Sequence, residues 1–283
     1  MLLAIGAAAV ALALLAVPAG GLANGVSYVA MGDSFPAGPG TGEAVPGTAP
    51  ECLASTGGYP NLVAAALGLS LQNTTCSGAT RLNFTSPQYG DQPAQFEALS
   101  SATEVVSVSM GGNDNNLFQT LVTKCTQVDE GHAGVRTPLC KKQIGSSLNS
   151  KIKEDAALYA QALAQIHLLA PNAKVFVVGY PDYFPSAGSC YSTLPWTSGD
   201  DHWASTTNKK LDAMIKRAAH ADRYTYVDTY GSFAGHDLCE PLGTRWVEPL
   251  NDPADGAPLH PNALGHEHVA LIVAQAMRDA GVS

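Results

Sequence analysis

The sequence lacks any run rich in Lys or Arg, and it carries little charge of either sign. Of its 283 residues, 15 are Lys or Arg and 24 are Asp or Glu, which gives a formal net charge of −9. Without a basic patch, the chain cannot attract nucleic acids or anionic membrane surfaces electrostatically. We therefore expect neither class of partner.

The first 23 residues contain no charged residue at all. Their apolar run spans residues 2–17, a helix breaker follows at Pro18, and small residues precede Asn24, as at a signal-peptide cleavage site. A membrane anchor is the competing interpretation, but a span needs roughly 20 apolar residues. We expect a signal peptide over 1–23, a single domain over 24–283, secretion to the extracellular space and no stable membrane insertion after cleavage.

The six cysteines show no C-x-x-C spacing, which argues against zinc binding and thiol redox chemistry. An even number of cysteines in an exported chain instead indicates disulfides. Six cysteines allow 15 pairings, and the sequence alone cannot select one. The sequential set closes the shortest loops and is our prediction: Cys52–Cys76, Cys125–Cys140 and Cys190–Cys239. We expect no metal and no cofactor.

Four apolar runs rich in β-branched residues, at 26–31, 104–110, 174–180 and 224–230, predict buried strands. Their nearly continuous apolarity is typical of strands covered on both faces, as in a parallel sheet between helices. Helical spacing lies between and after these strands: residues 61–69, a segment starting at Ser146 or Ser147 and stopping before Pro171, and a last segment from Pro261 to Gly281. The alternation predicts an α/β domain.

Three long segments rich in Gly, Pro, Ser and Thr are predicted to be loops held by the disulfides: 35–58, 111–145 and 181–205. The aromatic residues in the last of these loops and just before it have two interpretations. They line an acyl channel or they pack the loop: Tyr180, Phe184, Tyr191 and Trp196.

Two predicted strands end in similar polar turns. Gly-Asp-Ser places Ser34 after the first strand, and Gly-Gly-Asn-Asp places Asn113 after a later one. Ordinary turns are one explanation, since these are turn-forming residues. However, the carboxyl ends of parallel strands share the edge where ligands bind. The two side chains are therefore candidates for a common site.

A serine needs a nearby base before it can act as a nucleophile. His260 stands immediately before the proline that opens the last predicted helix, where the positive end of the helix disfavours the protonated ring. A helix-capping role is the alternative for this histidine. His266 and His268 are two residues apart on that helix, so they do not face each other as joint metal ligands would.

These blocks, in order, resemble the four blocks of the GDSL/SGNH hydrolases: GDS, the glycine in CSGAT, GGND and a late histidine before proline. The chain looks most similar to secreted actinomycete-type esterases, lipases and phospholipases, which carry three sequential disulfides. The resemblance implies a three-layer α/β/α sandwich with a central parallel sheet. It also implies Ser34 as nucleophile, His260 as base, and an oxyanion site made of the Ser34 and Gly78 N–H groups and the Asn113 amide.

One position departs from the family pattern. Many relatives have Asp three residues before the histidine, and this chain has Ala257 there. The Ala257 backbone carbonyl could instead accept the imidazole Nδ1–H, which is the arrangement we favour. Asp255 or Asp252 could also turn in from the loop. Asp33 and Asp114, which flank the two motifs, are expected to stabilise their turns.

The resemblance predicts a secreted serine carboxylic-ester hydrolase, an esterase or lipase that includes phospholipase activity in its range. It would act through an acyl-enzyme on a small-molecule or lipid ester, as a monomer. A deacetylase of acetylated carbohydrates or small molecules is the alternative within the enzymes. A secreted, disulfide-stapled binding protein without catalysis is the alternative outside them.

Overall fold

Five short strands form one sheet in the structure, a computed structural model that describes residues 27–282. The predicted signal peptide lies outside the described residues. All neighbouring strands pair in parallel, and their order across the sheet is β2-β1-β3-β4-β5. The strands are β1 (Ser27–Gly32), β2 (Ser70–Asn73), β3 (Val105–Ser109), β4 (Lys174–Val178) and β5 (Thr225–Val227).

Seven α-helices connect and cover these strands within residues 27–282. They pack in two groups: α2 contacts α1 and α7, whereas α4 contacts α3 and α6. The sheet between the two groups confirms the predicted three-layer α/β/α sandwich. The helices are α1 (Ser34–Ala37), α2 (Tyr59–Leu67), α3 (Leu117–Asp129), α4 (Leu139–Ala164), α5 (Ile166–Leu169), α6 (Ser198–Ala221) and α7 (Ala263–Asp279).

The sheet brings the two polar turns side by side. β1 and β3 are neighbours, with Gly32 paired to Ser109 at their carboxyl ends. The Asp33 N–H then donates to the Ser109 carbonyl at 3.1 Å, which extends the pairing by one residue. The connection from β1 leads to β2 on one side of the sheet, whereas the connection from β3 leads to β4 on the other side. Open α/β sheets form their ligand crevices at such a switch point.

The core agrees with the apolar patterns of the sequence. Every residue of β3 is buried, as are the last five residues of β1. The predicted disulfides are all present, which confirms the sequential pairing: Cys52–Cys76, Cys125–Cys140 and Cys190–Cys239. None of the helices within residues 27–282 has both the length and the apolarity required to cross a bilayer.

All three predicted loops are partly helical, and segment 35–58 contains most of the short helix α1. Segment 111–145 contains α3 and the start of α4, and segment 181–205 contains the start of α6. The buried residues of α3 recur at four-residue spacing, a signal that the surrounding polar residues hide. The last helix begins at Ala263 rather than at Pro261, because the Asn262 side chain accepts the Gly265 N–H at 3.1 Å and caps it.

Candidate active site

Ser34, Asn113 and His260 line one small pocket at the carboxyl edge of the sheet, with about 30 Å³ of free space. The sequence had identified all three as site residues. The other walls of the pocket are largely aromatic and aliphatic. They include Phe35, Phe118, Tyr180, Tyr183, Leu211 and Leu259.

The Asp33–Ser34 turn needs glycine immediately before it. A Cβ on Gly32 would lie 2.3 Å from the Ser109 carbonyl oxygen, and the residue has φ of +148°. The buried Gln95 side chain holds Gly32 in place. Its amide nitrogen donates to the Gly32 carbonyl at 2.9 Å, and its oxygen accepts the Gly32 N–H at 2.8 Å. Ser34 is thereby fixed as the first residue of α1.

Asp33 stabilises this turn, as expected from the sequence. Its Oδ1 accepts the Phe35 N–H at 3.0 Å and so caps α1. Its Oδ2 accepts a short hydrogen bond from the Tyr180 hydroxyl. Burial raises the Asp33 pKa to about 7, although both hydrogen bonds favour the charged form.

Gly78 lies beside Asn113 rather than in the wall of the pocket itself. The Asn113 amide donates to the carbonyl of Ala79, the next residue, at 3.1 Å. Gly78 has φ of +77°, a conformation that favours glycine. Among residues 27–282, neither the Gly78 N–H nor the Ser34 N–H has a hydrogen-bond acceptor. Both donors are therefore available to a substrate oxygen.

Asp114 holds the Asn113 turn to the Gly78 segment. Its Oδ1 accepts the Arg81 N–H at 2.9 Å and lies 3.3 Å from the Arg81 guanidinium. The guanidinium also contacts Asp155 on α4 at 3.0 Å. Asp114 thus serves the structural role expected of it.

His260 is oriented by a backbone carbonyl, but the residue differs from the expectation. Its Nδ1 donates to the Pro258 carbonyl at 2.7 Å, whereas the Ala257 carbonyl accepts the His260 backbone N–H at 3.2 Å. Leu259, with φ of +59°, turns the Pro258 carbonyl toward the ring. Within residues 27–282, the exposed Asp252 and Asp255 make no hydrogen bond to the His260 ring.

This arrangement sets the tautomer of His260. A carbonyl can only accept, so Nδ1 carries the proton and Nε2 presents a lone pair. Loss of hydration in the pocket lowers the His260 pKa below its ordinary value of 6.5, although the Pro258 carbonyl acts in the opposite direction. The ring is consequently neutral near pH 7 and able to accept a proton.

A buried ion pair supports the segment that carries His260. Glu248 contacts Arg245 at 2.8 Å and accepts hydrogen bonds from the Ala254 N–H and the Asn262 amide, at 2.7 and 3.0 Å. Burial alone would raise the Glu248 pKa, but these hydrogen bonds and the guanidinium charge lower it. The Glu248 N–H also donates to the His260 carbonyl at 2.9 Å.

Several potential metal ligands in the described part of the chain already form other interactions. Cys125, Cys140 and Asp200 lie close together, but the two cysteines form a disulfide. His266 accepts the Tyr59 N–H at 3.2 Å, whereas His268 packs on the Trp246 ring. These two histidines point to different neighbours and do not form a joint site.

Of the four aromatic residues with two interpretations, only Tyr180 lines the pocket. Phe184 and Trp196 are buried and stack on each other with ring centroids 5.4 Å apart. The Tyr191 hydroxyl donates to the Asp129 carbonyl at 2.8 Å. Packing of the loop is the interpretation that holds for these three.

Sequence reasoning missed two groups of supporting residues. No local sequence motif marks Tyr180, whose hydroxyl donates to Asp33. The Arg245–Glu248 pair gave a weak signal, since two opposite charges three residues apart interrupt an otherwise apolar segment. Their burial becomes apparent only in the folded chain.

The family model described as the GDSL-like Lipase/Acylhydrolase family matches residues 30–268. Lipase 2 of Streptomyces coelicolor is 37% identical over 248 residues, covering 87% of this chain and 83% of that protein. The lipase of Streptomyces rimosus is 31% identical over 240 residues, which cover 84% and 81% of the two chains.

Solved structures show the same architecture. Phospholipase A1 from Streptomyces albidoflavus NA297 aligns with a TM-score of 0.72 at 26% identity, covering 89% of this chain and 98% of that one. The extracellular lipase from Streptomyces rimosus gives a TM-score of 0.71 at 27% identity, with the same coverage.

Proposed function

We propose a serine mechanism for this chain, which belongs to the GDSL-like lipase/acylhydrolase family and is an ester hydrolase. The observation that carries the proposal is the shared pocket of Ser34, Asn113 and His260. In the first step, His260 Nε2 takes the Ser34 hydroxyl proton while Oγ forms a bond to the ester carbonyl carbon. The carbonyl electron pair moves to the oxygen, which becomes an oxyanion.

In the proposed mechanism three donors receive this charge: the Ser34 N–H, the Gly78 N–H and the Asn113 amide. Removing one such donor from an enzyme costs about 3–4 kcal/mol of transition-state stabilisation. When the tetrahedral intermediate collapses, the alcohol leaves with the proton from His260. Water then attacks the acyl-serine with His260 again as base, and the carboxylic acid and free serine are released.

Ser34 and His260 act as a catalytic dyad in this proposal. The His260 ring donates to a neutral carbonyl, so no carboxylate stabilises the imidazolium through Nδ1. The carbonyl still fixes the tautomer and the direction of the ring, which are the geometric contributions that a third residue makes in a triad.

The proposed substrates are carboxylic esters with a longer acyl chain rather than acetyl esters. The apolar side chains of Phe118, Tyr183 and Leu211 line the pocket beside Ser34, and such a wall suits an acyl group better than a sugar. Relatives named lipase and phospholipase A1 support the same class. Comparing acetyl with long-chain p-nitrophenyl esters tests this choice, because a deacetylase would favour the acetyl ester.

Ser34→Ala tests the mechanism. We expect kcat/KM for a p-nitrophenyl ester to fall by about four to six orders of magnitude, while the circular dichroism spectrum and Tm stay unchanged. Ser101→Ala is the matched control, because exposed Ser101 precedes β3 and thus lies at the opposite edge of the sheet. Substantial activity in the Ser34 variant would disprove the assignment.

A fluorophosphonate probe separates the enzyme from a binding protein without catalysis. An activated serine reacts with the probe, so the wild-type protein should be labelled and the Ser34→Ala variant should not. Absence of labelling in the wild type would favour the binding protein.

We also propose that the protein is secreted. The uncharged, apolar N-terminal segment and three disulfides support export to an oxidising compartment. N-terminal sequencing of protein from the culture medium should give Asn24 as the first residue, and retention of the intact chain in cells would contradict this.

A further inference from the structure

Tyr180 connects the turn that carries Ser34 to the turn that carries Asn113. Its hydroxyl donates to the Asp33 carboxylate and accepts the Gly112 N–H at 3.0 Å. Tyr180 and Asp33 are 5% and 2% exposed, so water competes little for these hydrogen bonds. One buried hydroxyl therefore contacts the residue before the proposed nucleophile and the residue before the proposed oxyanion donor.

We propose that Tyr180 is a positioning residue that holds the Asn113 amide in register with the Ser34 Oγ. The inference rests on the proposed function, because it assigns Tyr180 a part in stabilising the oxyanion. Tyr180 itself does not touch the reacting atoms in this account. It acts through Asp33 on one side and through Gly112 on the other.

The surrounding contacts hold the two hydrogen bonds of the Tyr180 hydroxyl in place. The Asp33 carboxylate cannot shift freely, because its other oxygen caps α1 through the Phe35 N–H. A tyrosine hydroxyl has one hydrogen, which goes to Asp33, and its lone pairs remain for the Gly112 N–H. A charged acceptor also strengthens the bond that it receives.

The ring that carries this hydroxyl is itself anchored. The Tyr180 N–H donates to Asp212 on α6 at 3.1 Å. Its ring lies against Phe35 with centroids 5.5 Å apart. Since Tyr180 follows β4 by two residues, the hydrogen bonds of its hydroxyl join the carboxyl ends of three neighbouring strands: β1, β3 and β4.

Tyr224 provides the comparison that isolates this role. It is likewise 5% exposed, and its hydroxyl also donates a buried hydrogen bond, to the Leu163 carbonyl at 2.9 Å. Tyr224 immediately precedes β5, so it lies at the opposite edge of the sheet from the pocket. Removing either hydroxyl breaks a buried hydrogen bond, but only the change at Tyr180 breaks the connection between Asp33 and Gly112.

The first test is the steady-state kinetics of Tyr180→Phe with a p-nitrophenyl ester. We expect kcat to fall about 10- to 100-fold with KM within about threefold of wild type, because the oxyanion exists only beyond the ground state. Tyr224→Phe should keep both constants within about twofold. General damage to the pocket would raise KM in Tyr180→Phe as well, and an effect of lost stability alone would appear in both variants.

The second test uses an alkyl boronic acid as an oxyanion mimic. The boron binds the Ser34 Oγ while the serine proton passes to His260, and the resulting tetrahedral boronate carries the negative charge. We expect the inhibition constant of Tyr180→Phe to rise by about the factor by which kcat/KM falls. Tyr224→Phe should bind the inhibitor as the wild type does.

Asp33→Asn keeps the inference testable if Tyr180→Phe does not fold. The amide can still cap α1 through its oxygen, but its nitrogen cannot accept from the tyrosine hydroxyl. We expect the same loss of kcat with little change in KM. Wild-type kcat and boronate affinity in a folded Tyr180→Phe, or in Asp33→Asn when only the latter folds, would overturn the inference.

Equal losses of kcat in Tyr180→Phe and Tyr224→Phe would overturn it as well. The Ser34→Ala variant distinguishes the two levels of failure. If Ser34→Ala stays active, the proposed function fails and this inference fails with it. If Ser34→Ala is inactive while Tyr180→Phe matches the wild type, the inference about Tyr180 fails alone.

Discussion

The candidate site has two halves that are held in different ways. The strand half comprises Ser34, Gly78 and Asn113, which follow the carboxyl ends of β1, β2 and β3. The loop half comprises His260 and the rest of segment 247–262, which joins no strand of the sheet. Both halves must meet within hydrogen-bond distance for the proposed chemistry.

The strand half takes its precision from the backbone. Parallel pairing places Gly32 opposite Ser109, and the ladder continues through the Asp33 N–H. Further along the chain, the Cys76 N–H donates to the Gly32 carbonyl at 3.1 Å, which brings the Gly78 segment to the same edge. Regular hydrogen bonds thus align three separate segments before any catalytic side chain is considered.

The loop half depends on side chains. An isolated antiparallel bridge between Val247 and Pro261 is its main backbone pairing. The buried Glu248 carboxylate adds contacts to Arg245, Asn262 and Ala254. Where a sheet is absent, a buried charge with several hydrogen bonds can fix a loop instead, although breaking such a network is costly.

Removing the charge of Glu248 should therefore affect the loop half most. For Glu248→Gln we expect a loss of about 3 kcal/mol in the free energy of unfolding, because Arg245 remains buried without its counter-charge. Displacement of His260 should lower kcat/KM about 100-fold. Urea denaturation and ester hydrolysis measure the two effects.

Two further variants control this experiment. Glu267→Gln makes the same chemical change at an exposed position of α7 and should leave both quantities unchanged. Replacing both members of the pair, with Arg245→Met and Glu248→Leu, should recover part of the lost stability, since no unpaired charge remains. Wild-type stability and activity in Glu248→Gln would contradict the importance assigned to the ion pair.

The disulfides allow the strand half to be perturbed separately. Cys52–Cys76 lies next to the Gly78 segment, and the Ser77 N–H donates to the Cys52 carbonyl at 2.9 Å. Replacing both cysteines with alanine should lower kcat about tenfold by loosening the oxyanion site. It should also lower the free energy of unfolding by about 2–4 kcal/mol.

The matched control is the alanine pair at Cys125–Cys140. This disulfide ties α3 to α4 about two helical turns from Phe118, the pocket residue on α3. We expect a comparable loss of stability with an unchanged kcat in the folded protein. Equal effects of the two double variants on kcat would show that the Cys52–Cys76 bridge has no specific effect on the site.

The two halves also differ in how far the sequence could predict them. The strand half was accessible, because continuous apolar runs that stop at polar turns indicate buried parallel strands with a common edge. The missed strand β2 is short and lies at the edge of the sheet, with alternating exposure. The missed helix α6 buries polar residues such as Asn208 and Asp212, so its apolar periodicity is weak.

In the loop half, only the identity of His260 could be predicted. Whether Ala257 or Pro258 accepts from the ring depends on the positive φ of Leu259, an unusual conformation for leucine that no local rule predicts. The supporting ion pair depends on burial of both charges, which is a property of the folded chain. Backbone periodicity is readable from the sequence, whereas the packing of one irregular loop is not.

The pH dependence of activity can separate the two halves, because each contains a pocket-lining group whose pKa is shifted by burial. The Asp33 pKa is raised by burial to about 7, and the His260 pKa is lowered below 6.5 by loss of hydration. Asp33→Asn removes the first group, so that the remaining acid limb of kcat/KM belongs to His260. The neutral ring is the active form, and kcat/KM should fall about tenfold per pH unit below the pKa of His260.

The midpoint of that limb reports what lies next to the imidazole Nδ1. A neutral carbonyl predicts a midpoint below 6.5 in the Asp33→Asn variant, whereas a carboxylate partner would stabilise the imidazolium and move the midpoint above 6.5. Adding Asp255→Asn should leave the limb in place, because exposed Asp255 makes no hydrogen bond to the ring in the described chain. A limb above 6.5 that drops when Asp255 is replaced would show that the loop half forms a triad in solution, against the dyad proposed from the Pro258 carbonyl.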